Sequence, residues 1–165
     1  MSIDTPEIKE RAEQPYVAVK RWIAWTEFPV IADRLPEIIG WLAARGIQPA
    51  GAPFFRYVTI GGEQDGEVEA GVPVAAPVEG EGDIYAGVLP PGRYASVTHV
   101  GHPDQLAGVT TDLLGWAAEQ GLTWDMSEDD EGEHWACRLE LYHSDPAEQP
   151  DMGKWETELA FKLAG

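Results

Sequence analysis

A ten-residue segment, Ile38-Ile-Gly-Trp-Leu-Ala-Ala-Arg-Gly-Ile47, recurs as Leu113-Leu-Gly-Trp-Ala-Ala-Glu-Gln-Gly-Leu122. In each copy a Gly-Trp pair lies inside an apolar pattern. A second glycine then arrives where a helix would stop and a strand begin. The echo continues outward in order. Tyr16-Val-Ala-Val19 answers Tyr94-Ala-Ser-Val97, Phe55-Arg-Tyr57 answers Glu140-Leu-Tyr142, and Glu67 to Val74 answers Glu156 to Leu163. The offsets are 78, 85 and 89, against 75 at the helix ends, so most of the change falls between helix and following strand. There the second copy carries an acidic insert, Ser127-Glu-Asp-Asp-Glu-Gly-Glu133. Two ordered copies predict one duplicated domain over residues 1–165, copy one about 7–75 and copy two about 84–163, and not a solenoid.

Length agrees with that reading. A chain of 165 residues can bury about 70% of its unfolded surface, enough for one ordinary core. The single cysteine, Cys137, excludes an internal disulfide and fits a reducing compartment. No basic or apolar leader opens the chain, and no apolar run is long enough for a bilayer, so a soluble cytoplasmic protein is expected. A net charge of −18, with 11 basic against 29 acidic residues, argues against nucleic acid, whose phosphates are held by Lys and Arg.

In chain order, two short extended pieces over Glu7 to Val19 flank Ala12-Glu-Gln-Pro15. A first helix starts near Phe28-Pro29, runs on Ile31, Leu35, Ile38, Ile39 and Leu42, and ends at Gly46. Gly51 to Ile60 and Glu67 to Ala75 read as paired strands about the turn Gly61 to Gly66. Ala76 to Asp83 joins the copies. Ile84 to Leu89 and Arg93 to Val100 read as a hairpin about Pro90-Pro-Gly92. The second helix starts near His102-Pro103-Asp104, with Leu106, Val109, Leu113, Leu114 and Ala117 inward. Strands Trp135 to His143 and Trp155 to Leu163 follow, separated by a turn over Ser144 to Gly153. The class is α+β: a duplicated β-α-β-β module with a pseudo-two-fold, antiparallel sheets, both helices on one side and a central ligand cleft.

Along residues 137–142, Cys137, Leu139 and Leu141 alternate with Arg138, Glu140 and Tyr142. The apolar set is expected under the helices, and the other face, with Phe55 and Tyr57 from copy one, is expected to wall the cleft. Seven Trp, five Tyr and four Phe make an aromatic lining plausible on numbers, since indole and phenol rings are costly to leave wet. Trp41 and Trp116, at matched helix positions, are read as core, and Trp22, Trp25, Trp135 and Trp155 flank strands near the cleft.

The residues that resemble a known family are Gly51-Ala-Pro-Phe-Phe-Arg-Tyr57, Val68-Glu-Ala-Gly-Val-Pro-Val74, Leu89-Pro-Pro-Gly-Arg-Tyr-Ala95 with His99-Val-Gly101, and Glu140-Leu-Tyr-His-Ser-Asp-Pro146. Taken in order they are similar to the GyrI-like, or gyrase-inhibitor-like, small-molecule-binding domains, which also serve as effector-binding domains of multidrug-responsive regulators. The resemblance implies a cleft for hydrophobic, often cationic aromatic compounds, with Glu140 as its buried acid. It implies Tyr57, Tyr94 and Tyr142 as pocket wall, to which the strand faces add Phe55, and Trp22 and Trp155 beside the strands are expected to join them. A carboxylate among rings suits a delocalised cation through charge pairing and cation–π attraction. Sequestration or sensing is the first function implied. The second is hydrolysis of electrophilic cyclopropane-bearing compounds, with Glu140 as base and Tyr142 or Tyr57 as proton donor. The third is binding to a protein partner, a gyrase or a regulator, through the acidic surface. The helix-turn-helix of the regulators is not found in this sequence, nor is the acidic insert part of the family pattern.

Other motifs carry less. His99 and His102 straddle a strand end and a turn with no third ligand at metal spacing. Asp125 to Glu140 lacks the Asp/Asn spacing of a calcium loop. Cys137, on the apolar face, is expected to be inert. No nucleophile elbow, phosphate loop or dinucleotide fingerprint occurs, so neither metal nor cofactor is expected.

Overall fold

The computed structural model describes residues 5–62, 64–145 and 148–164. Ten strands form one antiparallel sheet: β1 (Glu7–Arg11), β2 (Gln14–Ala24), β3 (Phe54–Ile60), β4 (Asp65–Pro73), β5 (Tyr85–Leu89), β6 (Gly92–Val100), β7 (Met126–Asp129), β8 (Gly132–Trp135), β9 (Arg138–Tyr142) and β10 (Glu156–Lys162). Three helices lie on it: α1 (Pro29–Ala32), α2 (Arg34–Ala44) and α3 (Leu106–Glu119). The backbone order β1-β6-β10-β9-β3-β4-β2-β5 is palindromic with respect to the two copies. Each half contributes its third and fourth strands to the middle and its second strand outside them.

The register fixes the symmetry. Phe55 pairs with Glu140 at the β3–β9 seam, and those two residues are matched positions of the repeat, so the pseudo-two-fold passes between them. Ala70 opposite Phe55 answers Leu159 opposite Glu140, and Val19 opposite Ala70 answers Val97 opposite Leu159. The first strand of each copy is exchanged: β1 pairs with β6 of copy two, and β5 pairs with β2 of copy one. The expected hairpin between β5 and β6 is therefore absent among the described residues. The two strands are joined by Pro90 and Pro91, yet the short link carries the chain from one end of the sheet order to the other. The sheet must curl for so short a link to reach, which gives the half-barrel.

The helix ends agree with the sequence reading in detail. Gly46 and Gly121 each sit at φ 70°, a left-handed value that favours glycine. Ile47 N–H donates to Leu42 O and Gly46 N–H to Ala43 O, both at 3.0 Å. Leu122 donates to Ala117 and Gly121 to Ala118 in the same way, so both ends are Schellman motifs. The single first helix expected from Phe28 is instead two pieces, α1 and α2, meeting at Asp33. Pro36 has no N–H to bond the Ala32 carbonyl and its ring crowds that carbonyl, so the ladder is interrupted there.

The expected strand ending at Val19 continues to Ala24, because β4 pairs with it along the whole length. The acidic insert is the other departure. Met126–Asp129 and Gly132–Trp135 form a hairpin whose second strand docks on β3, with Thr59 opposite His134 and Ile60 opposite Glu133. A Cβ at Gly132 would fall 2.1 Å from the Ile60 carbonyl, so only glycine allows that approach.

Packing inverts the expected faces. Val17, Val19, Phe55, Val68, Ala70 and Val72 pack under Ile31, Ile38 and Leu42. Ala95, Val97, Leu159 and Phe161 pack under Val109 and Leu113 of α3. Phe55 and its β9 partner Glu140 therefore lie on the helix-bearing side. Cys137, Leu139 and Leu141, expected beneath the helices, close a third core on the opposite side with Tyr16, Phe54 and Tyr94. The curl supplies their cover: strands from both ends of the sheet order bend toward each other, and no helix is needed. Trp41 and Trp116, expected as core, are half-buried and pack on its margins. Trp124 packs against Trp135 and Phe161 at centroid distances of 5.6 and 5.9 Å. No helix among the described residues is long and apolar enough to cross a membrane.

Candidate functional site

Between the α1–α2 arm and α3, strands β3 and β9 form the floor of a cleft. Alternation aims Phe55, Tyr57, Arg138, Glu140 and Tyr142 at it. The Tyr57 hydroxyl donates to Glu140 Oε2 at 3.2 Å, and the Tyr142 hydroxyl donates a short hydrogen bond to Oε1. Phe28, from the turn before α1, stands edge-on to Phe55 at 4.8 Å and stacks over Tyr57 at 6.3 Å. Phe55 meets Tyr142 edge-on at 5.3 Å, and Trp25 tilts against Tyr57 at 6.1 Å. The result is one carboxylate held by two phenols within a ring of aromatic side chains.

Two recesses open from this floor. One, of about 1110 Å³, lies beside α2 and is lined by Leu35, Ile39, Phe55, Tyr142 and Trp155. The other, of about 440 Å³, reaches under α3 and is lined by Trp25, Tyr57, Leu106, Arg138, Glu140 and Phe161. The smaller falls within the usual size of small-molecule sites and the larger slightly exceeds it. Burial raises the Glu140 carboxyl above the ordinary range, against the pull of the two phenol donors and of Arg138. Burial, then the adjacent carboxylate, push the Tyr57 and Tyr142 phenols upward, so both remain protonated donors at neutral pH.

Of the residues expected at the site, the fold gathers Phe55, Tyr57, Glu140, Tyr142 and Trp155. It does not bring in Tyr94 or Trp22. Tyr94 is fully buried on the opposite side, donating to Pro90 O at 2.6 Å. Trp22 is 48% exposed. It alternates with Arg21 and Ile23 on β2, and Ile23 faces the core beneath α1, so Trp22 points the other way. Trp25, read only as flanking the cleft, and Arg138, on its wall face but given no role, both line it, and Phe28 joins them without having been anticipated. Arg138 was legible, since it alternates onto the same strand face as Glu140. Phe28 was not, because it reaches the floor only through the turn preceding α1.

A second pair of acids also escaped notice. Glu69 and Glu158 are matched positions of the repeat, and both are buried. Glu69 accepts from Tyr16 at 2.8 Å, from Tyr85, and from Arg56 at 3.2 Å. Glu158 accepts from Arg11 at 2.7 Å, His143 at 2.8 Å and Ser96. Paired acids inside apolar strands were the available signal. Their complete local pairing makes them internal struts of the curled sheet. Asp129, Glu131 and His134 cluster in the exposed hairpin turn within reach of one another, an arrangement common without any ion.

A ten-stranded half-barrel, palindromic over eight strands, with two helical arms over an aromatic, acid-floored cleft has the architecture of a small-molecule-binding module. The family described as GyrI-like small molecule binding domain matches residues 4–164, and the chain belongs to it. Among solved structures, EcmrR in its DNA complex is similar at TM-score 0.77 with 19% identity, over 97% of this chain; this chain spans 57% of that one. The EcmrR C-terminal domain alone matches at TM-score 0.73 with 18% identity over 99% of both chains. SAV2435 bound to tetraphenylphosphonium matches at TM-score 0.64 with 10% identity, over 98% of this chain and 94% of that one. A hydrolase from Listeria innocua matches at TM-score 0.60 with 12% identity, over 96% and 91%. No curated protein sequence matches the chain.

Proposed function

We propose that this protein binds lipophilic, cationic aromatic small molecules over Glu140, as a sequestering or sensing module. The observation that carries the reading is a carboxylate set among Trp25, Phe28, Phe55, Tyr57 and Tyr142, with recesses on either side. Rings offer their faces to a delocalised cation, and a poorly solvated carboxylate completes its pairing. A relative in the same fold, SAV2435, is bound to tetraphenylphosphonium. The test is calorimetric titration with tetraphenylphosphonium and with neutral triphenylphosphine oxide. Glu140→Gln should weaken the cation by about ten- to a hundred-fold, as loss of a partly desolvated charge pair does, and leave the neutral compound alone. Equal loss for both compounds, or none for either, refutes the charge-pairing reading.

The two protonated phenols on Glu140 favour one second reading, hydrolysis of a strained electrophile. Glu140 would take the proton of the attacking water and Tyr57 or Tyr142 would protonate the opening ring. Mass spectrometry of a cyclopropane-bearing aromatic after incubation would show a gain of one water, lost in Glu140→Gln. A ligand recovered intact rejects this reading and keeps the first.

A further inference from the structure

Arg138 is out of balance with its surroundings. It stands two residues before Glu140 on β9 and lines the recess under α3. Its guanidinium lies 4.5 Å from the Phe161 ring centroid and 4.7 Å from that of Trp135, with Tyr57 at 6.0 Å. Stacking covers the faces of a guanidinium and leaves its five N–H donors in plane. No acceptor among the described residues takes any of them, and Nε is buried without a partner. Neither Glu140 nor Glu133 comes close enough for an ion pair, although both act on Arg138 at longer range. Arg56, also partly buried, shares an unpartnered Nε, but its terminal nitrogens bond Tyr16, Glu69 and the Ala136 carbonyl, whereas those of Arg138 have no protein acceptor among the described residues. A buried donor without a partner destabilises the fold, more so when it belongs to a charged group.

The acidic insert builds this corner. Trp135 closes β8, the strand that docks the hairpin on β3, and its indole N–H is held by Glu133 at 2.9 Å. The hairpin that carries the insert thus supplies one of the two rings that hold Arg138 over the recess, while the insert's Glu133 carboxylate is spent on positioning that ring. A purely cationic ligand would satisfy Glu140 and leave Arg138 still without an acceptor.

Resting on the binding function proposed above, we infer that the recess under α3 is an acceptor-recognising subsite in which Arg138 grips a carboxylate or carbonyl of the ligand. The compounds favoured are then amphoteric aromatics, with a cationic or donor end at Glu140 and an acidic end at Arg138. A carboxylate meets the planar donor edge in a two-pronged, charge-assisted pair.

The test uses two dyes with one xanthylium core, rhodamine 123 as the methyl ester and rhodamine 110 as the free acid. Affinities are read by fluorescence anisotropy at about 0.15 M salt, where the Debye length is about 8 Å and the net charge of the chain is largely screened. The wild-type protein should bind the acid about ten-fold more tightly than the ester. Arg138→Met, which keeps the stem between the rings, should erase that preference by weakening the acid and sparing the ester. Arg138→Lys, which keeps the charge and loses the fork, should retain only part of it. Thermal melts establish that each variant is folded, and should Arg138→Met fail to fold, Arg138→Lys against wild type decides. Binding of both dyes with no preference, or a preference untouched by both substitutions, overturns this subsite and leaves the cleft standing. Failure of both dyes and of tetraphenylphosphonium to bind removes the cleft reading and this one with it.

Discussion

The two halves solve one packing problem with different volumes, and that difference can be tested. On the side away from the helices, Phe54 stands opposite Gly71 in copy one, where copy two sets Leu139 opposite Ala160. A Cβ added at Gly71 would lie 2.5 Å from Phe54 Cζ and 2.8 Å from Cε1, so the ring occupies the place that the Ala160 methyl fills in the other half. Gly71→Ala therefore overpacks a closed core, at a cost of about 1–3 kcal/mol. The stiffer unfolded chain returns about 0.4–1 kcal/mol. A net loss of about 1–2 kcal/mol follows, lowering Tm by roughly 2–8 °C at this chain length. Phe54→Leu alone opens a void and loses the edge contact with Tyr16 at 5.4 Å, costing about 1–2 kcal/mol. Together the two substitutions rebuild the copy-two pair, and the added methyl enters the vacated space. The double variant should be more stable than the sum of the single losses by about 1 kcal/mol or more. Urea unfolding followed by tryptophan fluorescence, with a constant slope across the four proteins, gives the cycle. A neutral Gly71→Ala, or additivity within about 0.5 kcal/mol, would show that the halves do not trade volume at this position.

Other outcomes follow from the charged groups. Because burial raises the Glu140 carboxyl, affinity for tetraphenylphosphonium, whose own charge is fixed, should climb as pH rises through that elevated value; calorimetry from pH 5 to 8 should show the climb in wild type and a flat profile in Glu140→Gln. Glu158 runs the other way: burial opposes its ionisation, but hydrogen bonds from His143 and Ser96 and the charge of Arg11 hold it well below the usual carboxylate range. Its contribution is full above the unfolded value of about 4.3, begins to decline as pH falls below it, and is lost only as pH falls through the much lower folded value. Glu158→Gln should thus lower Tm at pH 7, and the gap to wild type should narrow steadily as pH falls below the unfolded value; a gap that stays constant from pH 7 down to pH 2 would count against this strut. Cys137 is fully buried, and burial raises its thiol, so iodoacetamide should label it only as fast as the protein unfolds. Rapid native-state labelling would contradict its placement.

How much of this was legible depended on whether the signal was local. The helix ends were readable because a glycine after an apolar pattern is a local device, and both proved to be Schellman turns. Ordered matches revealed the duplication, and their offsets are reproduced residue for residue in the strand register. The faces of β9 were misread because alternation gives two faces without saying which one the helices cover. Leu139 and Leu141 found their cover in the curl of the sheet, a property of all ten strands at once. The hairpin expected at Pro90-Pro-Gly92 failed for a related reason: a tight link between two strands specifies reach, and here the curl brings distant ends within that reach. Tyr94 was expected from the resemblance alone, and the alternation of β6 turns it to the side away from the helices, where it packs with Tyr16 and Phe54.

Duplication alone would have produced a symmetric cleft, with the same residue on both sides of the axis. Instead the axis passes between Phe55 and Glu140, which occupy equivalent places and face each other across the central strand pair. Around them the symmetry is kept where it shapes the wall: Tyr57 and Tyr142 are equivalents, and both donate to the one acid. A second glutamate in place of Phe55 would set two carboxylates side by side with their charges opposed, raising one of them into its neutral form. With phenylalanine there, the two phenols are shared by a single charge and the other side of the axis remains apolar. The hairpin that carries the insert extends the asymmetry, setting Trp135 against the Arg138 guanidinium of β9 on one side only. The cleft therefore carries an acid and a guanidinium on one side of its axis and apolar surface on the other, and a ligand entering it meets a direction that the repeated fold by itself does not have.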